Sequence, residues 1–184
     1  MKKRIFSFAL ALVVLLTALT SCGTPLDTFE SFFVSVKKFD TVAMGECVDD
    51  GSADYFANIS SCAGLLSEEQ TEIAKTLFSY VEYTYNGEAS ADAKNYDIKL
   101  SYVDFASLIA TVEESMAIGT GNASHYIKEI INSGNFEVRY IKKTDVTVVL
   151  SDEGKIILGH IGENAVLTRA LGLDTFLRWY SAQR

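Results

Sequence analysis

Hydrophobic residues in the first part of the chain recur at spacings of three and four, which is typical of amphipathic helices. Thr24 can cap a first helix with Pro25 at its first position, and Ser67-Glu68-Glu69-Gln70 has the pattern of a capping box before a second helix. The tract from Asp49 to Gly64 is predicted to be loop and a short helix. The two apolar stripes consist of Phe29, Phe32, Phe33, Val36, Phe39 and Ala43, and of Ile73, Leu77 and Phe78.

The pattern then changes to an alternation of polar and apolar residues, which is typical of half-buried strands. Val81–Tyr85 and Tyr96–Tyr102 both alternate in this way. Asn86-Gly87 separates the two runs and predicts a turn, so we expect a hairpin with an extended connection. Helical spacing returns over Phe105–Met116 and again after Ser124.

The last part of the chain predicts a second hairpin and a docked helical end. Phe136–Leu150 is rich in residues that favour strands, Ser151–Gly154 has turn residues, and Lys155–Ile161 is predicted to return as a strand. Leu167, Ala170 and Leu171 form an apolar edge before Gly172. Asp174 is predicted to cap a final helical turn with Phe176, Leu177, Trp179 and Tyr180.

Helices followed by antiparallel hairpins indicate an α+β domain with N-terminal helices packed on a curved antiparallel sheet. Four segments carry a resemblance to a known group of proteins: Phe32–Asp40, Val146–Leu150, Glu153–Ile157 and Ala165–Leu173. They resemble small bacterial lipoproteins with a nuclear transport factor 2-like (cystatin-like) domain, most of which have no assigned function. Many relatives have a Trp at the late turn, where this chain has Gly154-Lys155-Ile156-Ile157-Leu158. The resemblance implies a cone whose pocket is used for catalysis in some relatives and for binding in others.

The N-terminal segment has the layout of a secretory signal. Lys2, Lys3 and Arg4 precede an apolar run from Ile5 to Leu19, which is short for a membrane span. Leu19-Thr20-Ser21-Cys22 resembles the processing site of a bacterial lipoprotein, which implies that Cys22 becomes the N-terminus and carries a diacylglyceryl thioether with fatty acyl chains such as palmitate. The alternative is an ordinary cleaved signal with an incidental Cys.

These features predict the domain organisation and the location. Residues 1–21 are the expected signal peptide, residues 22–26 a short lipid-anchored tether, and residues 27–184 a single α+β domain. The expected location is the extracytoplasmic face of the cell membrane, with the lipid bilayer as a partner through acylated Cys22. Because the tether is so short, we expect the domain to lie close to the bilayer.

The charge excludes one class of function. The chain has a formal net charge of −8, and loss of residues 1–21 would remove three basic residues and no acidic one. An acidic domain of this kind repels polyanions, so nucleic-acid binding is excluded.

Tyrosines at alternating positions are the main candidates for a pocket. An aromatic ring with a hydroxyl can line a ligand cavity, although such residues more often pack with a solvated hydroxyl. An enzymatic alternative uses Asp97, Asp104, His125 or His160 as general acid or base, with a tyrosine donating to an oxyanion. The candidate pocket residues are Tyr83, Tyr85, Tyr96, Tyr102, Tyr140 and His160.

Two further motifs contain residue types that can support disulfide or metal chemistry. Cys47 and Cys62 can form a disulfide outside the cytoplasm, or remain as two buried thiols. Asp49-Asp50-Gly51-Ser52-Ala53-Asp54 is acidic, but its spacing does not match a calcium loop, so a solvated turn is predicted. No metal or cofactor is predicted.

The sequence therefore predicts a membrane-anchored extracytoplasmic lipoprotein that binds a small ligand or an envelope protein. An enzyme that uses Tyr, Asp and His groups in the same pocket is one alternative, and a structural homodimer paired through exposed sheet faces is another. Buried ionisable pairs would favour the enzyme, a Tyr-lined cavity would favour ligand binding, and an exposed apolar sheet face would favour assembly.

Overall fold

The computed structural model describes residues 24–183, so the predicted signal peptide and Cys22 lie outside the described residues. The strands are β1 (Glu82–Tyr85), β2 (Asn95–Val103) and β3 (Ile141–Val149). The helices are α1 (Pro25–Lys38), α2 (Thr41–Glu46), α3 (Ala53–Gly64), α4 (Glu68–Phe78), α5 (Phe105–Ile118), α6 (Ala123–Asn132), α7 (Phe136–Tyr140), α8 (Ala165–Leu171) and α9 (Leu173–Ser181), with a 3₁₀ turn at Asp50–Ser52. Helices packed on an antiparallel sheet confirm the α+β class.

Helix α1 begins as the sequence predicts but ends earlier. The Thr24 hydroxyl accepts from the Asp27 amide at 3.2 Å and the Asp27 carboxylate accepts from the Thr24 amide at 2.7 Å, which is a capping box with Pro25 at the first position. Phe39 adopts a left-handed conformation with φ of 55° and ends the helix. Asp40 then caps α2 by accepting from the Ala43 amide. The predicted continuous stripe through Ala43 is therefore divided between two helices.

The other predicted helices are present with shifted ends. Ser67 and Gln70 form the expected reciprocal capping box before α4. Asn122, one residue before α6, accepts from the His125 amide, so the helix starts earlier than Ser124. The tract from Asp49 to Gly64 contains a helix of 12 residues, longer than the short helix that its turn-forming residues predict.

The three strands form one antiparallel sheet in the order β1-β2-β3. Tyr83 is opposite Leu100 in the first pair of strands, and Ile98 is opposite Val146 in the second. Because side chains alternate between the two faces, one face of β2 carries Tyr96, Ile98 and Leu100, which are all buried. This apolar face packs against the helices, and the first predicted hairpin is confirmed.

The predicted second hairpin is wrong beyond its turn. Phe136–Tyr140 is helical, and the return segment is reduced to isolated bridges of Ile156 with Leu150 and with Val48. Side chains take the place of a ladder, because Asn164 Nδ2 donates to the Ile157 carbonyl and the Leu158 amide donates to Ser52 Oγ. These bonds satisfy the buried backbone without a strand partner.

The C-terminal helices complete the core. Gly172 has φ of 59° between α8 and α9, and a Cβ there would lie 2.7 Å from Phe105 Cδ2, so glycine is required at this junction. Leu177 and Tyr180 of α9 are fully buried, which is the docked end that the sequence predicts. Gly172 rather than Asp174 occupies the cap position of α9, and this corrects the predicted cap. Over residues 24–183, no helix is both long enough and apolar enough to cross a bilayer.

Candidate ligand-binding groove

Three of the predicted pocket tyrosines belong to an aromatic cluster with Phe29 and Phe33 of α1. The ring centroid of Phe29 is 4.6 Å from that of Tyr96, 5.2 Å from that of Tyr83 and 5.7 Å from that of Tyr85. The Phe33 ring is 4.7 Å from the Tyr83 ring. The rings fill the space between α1 and the sheet, so the tyrosines pack there mainly against aromatic neighbours.

The hydroxyl groups of this cluster reach its rim. Tyr85 Oη donates to Glu30 Oε1 at 3.3 Å, and Tyr96 Oη donates to the Ser90 carbonyl at 3.0 Å. Burial raises the pKa of Tyr83, Tyr85 and Tyr96, with the charge of Glu30 as a smaller contribution. These phenols are therefore neutral at physiological pH and act as packing and hydrogen-bonding groups.

The other predicted pocket residues lie elsewhere. Tyr102 lines a separate pocket of about 300 Å³ near Asp104, and burial followed by the charge of Asp104 raises its pKa. Tyr140 is buried and its hydroxyl donates to Thr111 Oγ1 at 3.2 Å. His160 is exposed, with Nε2 3.1 Å from Asp174 Oδ2. The structure does not bring the six residues into one pocket.

A groove lies beside the free edge of β1, and Tyr83 is the one predicted pocket residue that lines it. Its volume is about 340 Å³, which is within the range of small-molecule sites. Val34 of α1 forms an exposed apolar part of the groove wall, with 49% of its surface accessible. The lining residues are Phe33, Val34, Lys37, Val81, Glu82, Tyr83, Thr84, Lys99, Ser101 and Lys143.

The groove is rich in lysine although the protein is acidic. Lys37 comes from α1, Lys99 from β2 and Lys143 from β3. Lys143 is opposite Ser101 in the register, two residues from Lys99, so the two ammonium groups occupy diagonal positions on one sheet face. Lys37 pairs with Glu82, whereas Lys99 and Lys143 have no ion-pair partner among residues 24–183.

A second cavity of about 650 Å³ continues the groove toward α7. The two cavities share Glu82, Ser101 and Lys143. Val138 lines the far end and is 86% exposed. The combined surface is therefore an elongated trough along the outer face of the sheet, with Lys143 near its middle.

The outer sheet face is polar, which bears on the assembly alternative. Asp97 bonds to the Thr147 hydroxyl, and Asp145 Oδ1 accepts from Asn86 Nδ2 at 3.1 Å. Lys99 and Ser101 occupy the same face of β2. Pairing through an exposed apolar sheet face therefore has no support in the described part of the chain.

Each candidate acid–base residue has a different side-chain or backbone partner, and the structure does not bring the four together. Asp104 caps α5 by accepting from the Ser107 amide at 3.1 Å. His125 is exposed beside Glu129, at 3.4 Å. Between Thr24 and Gln183, no Asp, Glu, Lys, Arg or His residue is buried. The described residues therefore contain no buried charged pair of the kind that would favour an enzyme.

The remaining motifs have structural roles. The thiols of Cys47 and Cys62 are not bonded to each other in this structure. Cys47 Sγ lies 3.4 Å from the Ala43 carbonyl and its pKa is raised by burial and then by Glu46. Asp49 accepts from the Gly51 amide at 2.8 Å, which is the predicted turn. Residues 24–183 contain no cluster of His, Cys, Asp and Glu that could hold a metal ion.

A scan against protein-family models finds no match to this chain, and searches of curated proteins and of solved structures find no significantly similar protein. The site must therefore be interpreted from its own geometry.

Sequence reasoning identified Tyr83 but missed the lysines. The alternation that predicts β2 also places Lys99 and Ser101 on the face opposite Ile98 and Leu100. The position of Lys99 on the outer sheet face could therefore be predicted from the sequence. The sequence does not contain the pairing of β2 with β3 that brings Lys143 beside them.

Proposed function

We propose that this protein is a lipid-anchored extracytoplasmic domain that binds an anionic ligand with an apolar portion in the groove between α1 and β1. The observation that carries the proposal is the concentration of Lys37, Lys99 and Lys143 around an apolar wall in a protein of net charge −8. A negative surface elsewhere repels anions, so a local positive groove selects where an anion binds.

The apolar wall and the lysines have different roles in this proposal. Covering about 40 Å² of apolar surface is worth about 1 kcal/mol before the cost of association. Each exposed ion pair adds only about 0.2–1 kcal/mol. Contact with Val34 and Tyr83 would therefore provide affinity for the apolar portion, and the lysines would provide the preference for a negative charge.

The proposed anchor places the groove near the membrane. Cys22 precedes Thr24 by two residues, and α1 begins directly after Thr24. At 1.5 Å per residue, Phe33 and Lys37 lie about 14 and 20 Å along α1 from Thr24. A ligand present at the membrane surface would be within reach of this site.

We also propose that the fold is a nuclear transport factor 2-like cone. An antiparallel sheet with α1 and the C-terminal helices on its apolar face is compatible with a nuclear transport factor 2-like cone. In this case the aromatic cluster around Phe29 fills the space between α1 and the sheet, and the ligand site is the groove beside it.

The lipid anchor is tested by replacing Cys22 with Ala in the expressed full chain. We expect loss of fatty-acid labelling and release of the protein from the membrane fraction. Cys62→Ala is the matched control and should keep both properties, because Cys62 lies in α3. Unchanged labelling and membrane retention of Cys22→Ala would contradict the anchor.

The groove is tested with 4-phenylbutyrate, which combines an apolar ring with one carboxylate. In a nuclear magnetic resonance titration, we expect amide shifts at Val34, Tyr83 and Lys99 that weaken as salt is added. The uncharged amide of the same acid is the matched ligand and should bind more weakly. Equal binding of both compounds, or shifts confined to other surfaces, would overturn the proposal.

A further inference from the structure

The outer edge of β1, which begins beside the groove, has unpaired backbone groups. The Asn86 amide donates to the Asp97 carbonyl at 2.9 Å, which identifies this as a hydrogen-bonded pair of the β1–β2 ladder. Because such pairs alternate, Thr84 and Glu82 also bond toward β2, whereas the N–H and C=O groups of Tyr83 and Tyr85 point away from it.

No described residue bonds to the outward backbone groups of Tyr83 and Tyr85, and β1 is the terminal strand of the sheet. The opposite edge of the sheet differs at Val149. There the Asn164 side chain accepts from the Val149 amide at 2.8 Å and donates to the Val149 carbonyl. The end of β3 is thus closed by a side-chain amide, while β1 remains available to an added strand.

We propose that the ligand of the groove is an extended acidic peptide segment of a partner protein, which pairs with β1 as a fourth strand. This inference rests on the proposed function and names its ligand. Main-chain hydrogen bonds to Tyr83 and Tyr85 would hold the segment, and alternate side chains would set its specificity.

The register defines which side chains the segment carries. Residues directly opposite Tyr83 and Tyr85 share their sheet face, so they point toward α1, and the residue opposite Tyr83, which lines the groove with Val34, should be apolar. The intervening residues point to the outer face, where Lys99 lies one strand further in behind Thr84, and should be acidic. Glu82 is on the same face, but its carboxylate is already paired with Lys37. An alternating acidic and apolar segment fits both sides of the groove.

Charge excludes a second copy of this chain as the favoured occupant. Pairing β1 with β1 of another copy would bring two lysine-rich grooves together on two proteins that each have a net charge of −8. Both interactions are repulsive. An acidic segment has the opposite charge to the groove and avoids this cost.

The test uses the peptide acetyl-Glu-Val-Glu-Val-Glu-Val-Glu-amide and amide hydrogen exchange of the full domain. We expect slower exchange at Tyr83 and Tyr85 when the peptide binds and no change at Thr84, whose amide already bonds to β2. Binding without protection at Tyr83 and Tyr85 would overturn strand addition.

Methylated peptides provide a second, independent measurement. In a segment that runs antiparallel to β1, the valine amides should donate to β1, because the valines are the residues paired with Tyr83 and Tyr85. Methylating two valine nitrogens should weaken binding about tenfold, and methylating two glutamate nitrogens should have little effect. Equal effects of the two peptides would contradict the register.

The outcomes separate this inference from the proposed function. If 4-phenylbutyrate binds the groove and the peptide gives no amide protection, strand addition fails and the anion site stands. If neither compound binds, both proposals fail. The peptide could also bind in a lysine-dependent manner and leave the Tyr83 and Tyr85 amides unprotected. That result would assign binding to side chains alone and overturn the inference.

Discussion

Lys37 and Glu82 form an ion pair between the last turn of α1 and the first residue of β1, with Nζ and Oε1 3.2 Å apart. Both side chains are about half exposed or more, so the pair adds little to stability. Because the ion pair lies at the groove, it affects ligand binding. The Glu82 carboxylate occupies Lys37 and competes with any external anion.

Replacing Glu82 with Gln should therefore increase the affinity for 4-phenylbutyrate several-fold, because Lys37 is released and a negative charge is removed from the groove. The dissociation constant is measured at low and high salt, and the gain should shrink at high salt. Glu72→Gln is the matched control, since Glu72 also pairs with a lysine but lies outside the groove. Equal gains in both variants would show a general charge effect instead.

Asn164 provides a stability prediction for the segment that replaces the second hairpin. Its amide bonds to both backbone groups of Val149 and to the Ile157 carbonyl, at 2.6 to 2.9 Å, and the residue is only 2% exposed. Asn164→Ala should lower the free energy of unfolding by about 2–4 kcal/mol, because unsatisfied backbone groups remain. Urea denaturation measures this, with exposed Asn132→Ala expected to change stability by less than about 0.5 kcal/mol. A similar small loss for Asn164→Ala would contradict the bridging role.

The physical basis of these bonds also explains which parts of the fold were predictable. The starts of α1 and α4 depend on side chains within three residues of each other, such as Thr24 with Asp27, so local sequence is sufficient. The segment after Gly154 has strand-forming residues, but Asn164 and Ser52 satisfy its backbone from distant positions. Strand propensity alone does not predict that these side chains replace a strand partner.

The candidate site is likewise predictable only where it depends on local sequence. Alternation in β1 and β2 predicts which tyrosines face the core, and Tyr83, Tyr85 and Tyr96 do meet there. The same pattern cannot predict that Phe29 fills the space between them, because this contact depends on the packing of α1. The groove combines residues from α1, β2 and β3, so it exists only after the sheet has formed.

The two cysteines should react at different rates with an alkylating reagent. Cys47 is 7% exposed and burial raises the pKa of its thiol, whereas Cys62 is more accessible. Cys62 should therefore be modified first, and Cys62→Ser should remove the fast phase while leaving the slow one. Mass spectrometry follows both reactions. An increase of two daltons on reduction would instead indicate the disulfide and contradict the free thiols.

Tyr180 predicts a loss of stability at alkaline pH. Burial raises its pKa from 10.0 to about 12, and its hydroxyl lies 2.8 Å from Ser124 Oγ. Because the unfolded chain loses this proton at lower pH than the folded one, the contribution is complete below pH 10 and declines as pH rises toward 12. Urea denaturation across this interval should show a steeper decline for the native protein than for Tyr180→Phe. Identical slopes would contradict the assignment.

Two adjacent lysines of β3 allow the most direct comparison for the groove. Lys143 lines it, whereas Lys142 points to the opposite face of the same strand and both are exposed. The measurement is the dissociation constant of 4-phenylbutyrate for Lys143→Glu and for Lys142→Glu, which carry the same net charge. We expect Lys143→Glu to weaken binding several-fold more than Lys142→Glu does. Equal affinities of the two variants would contradict anion binding in the groove between α1 and β1.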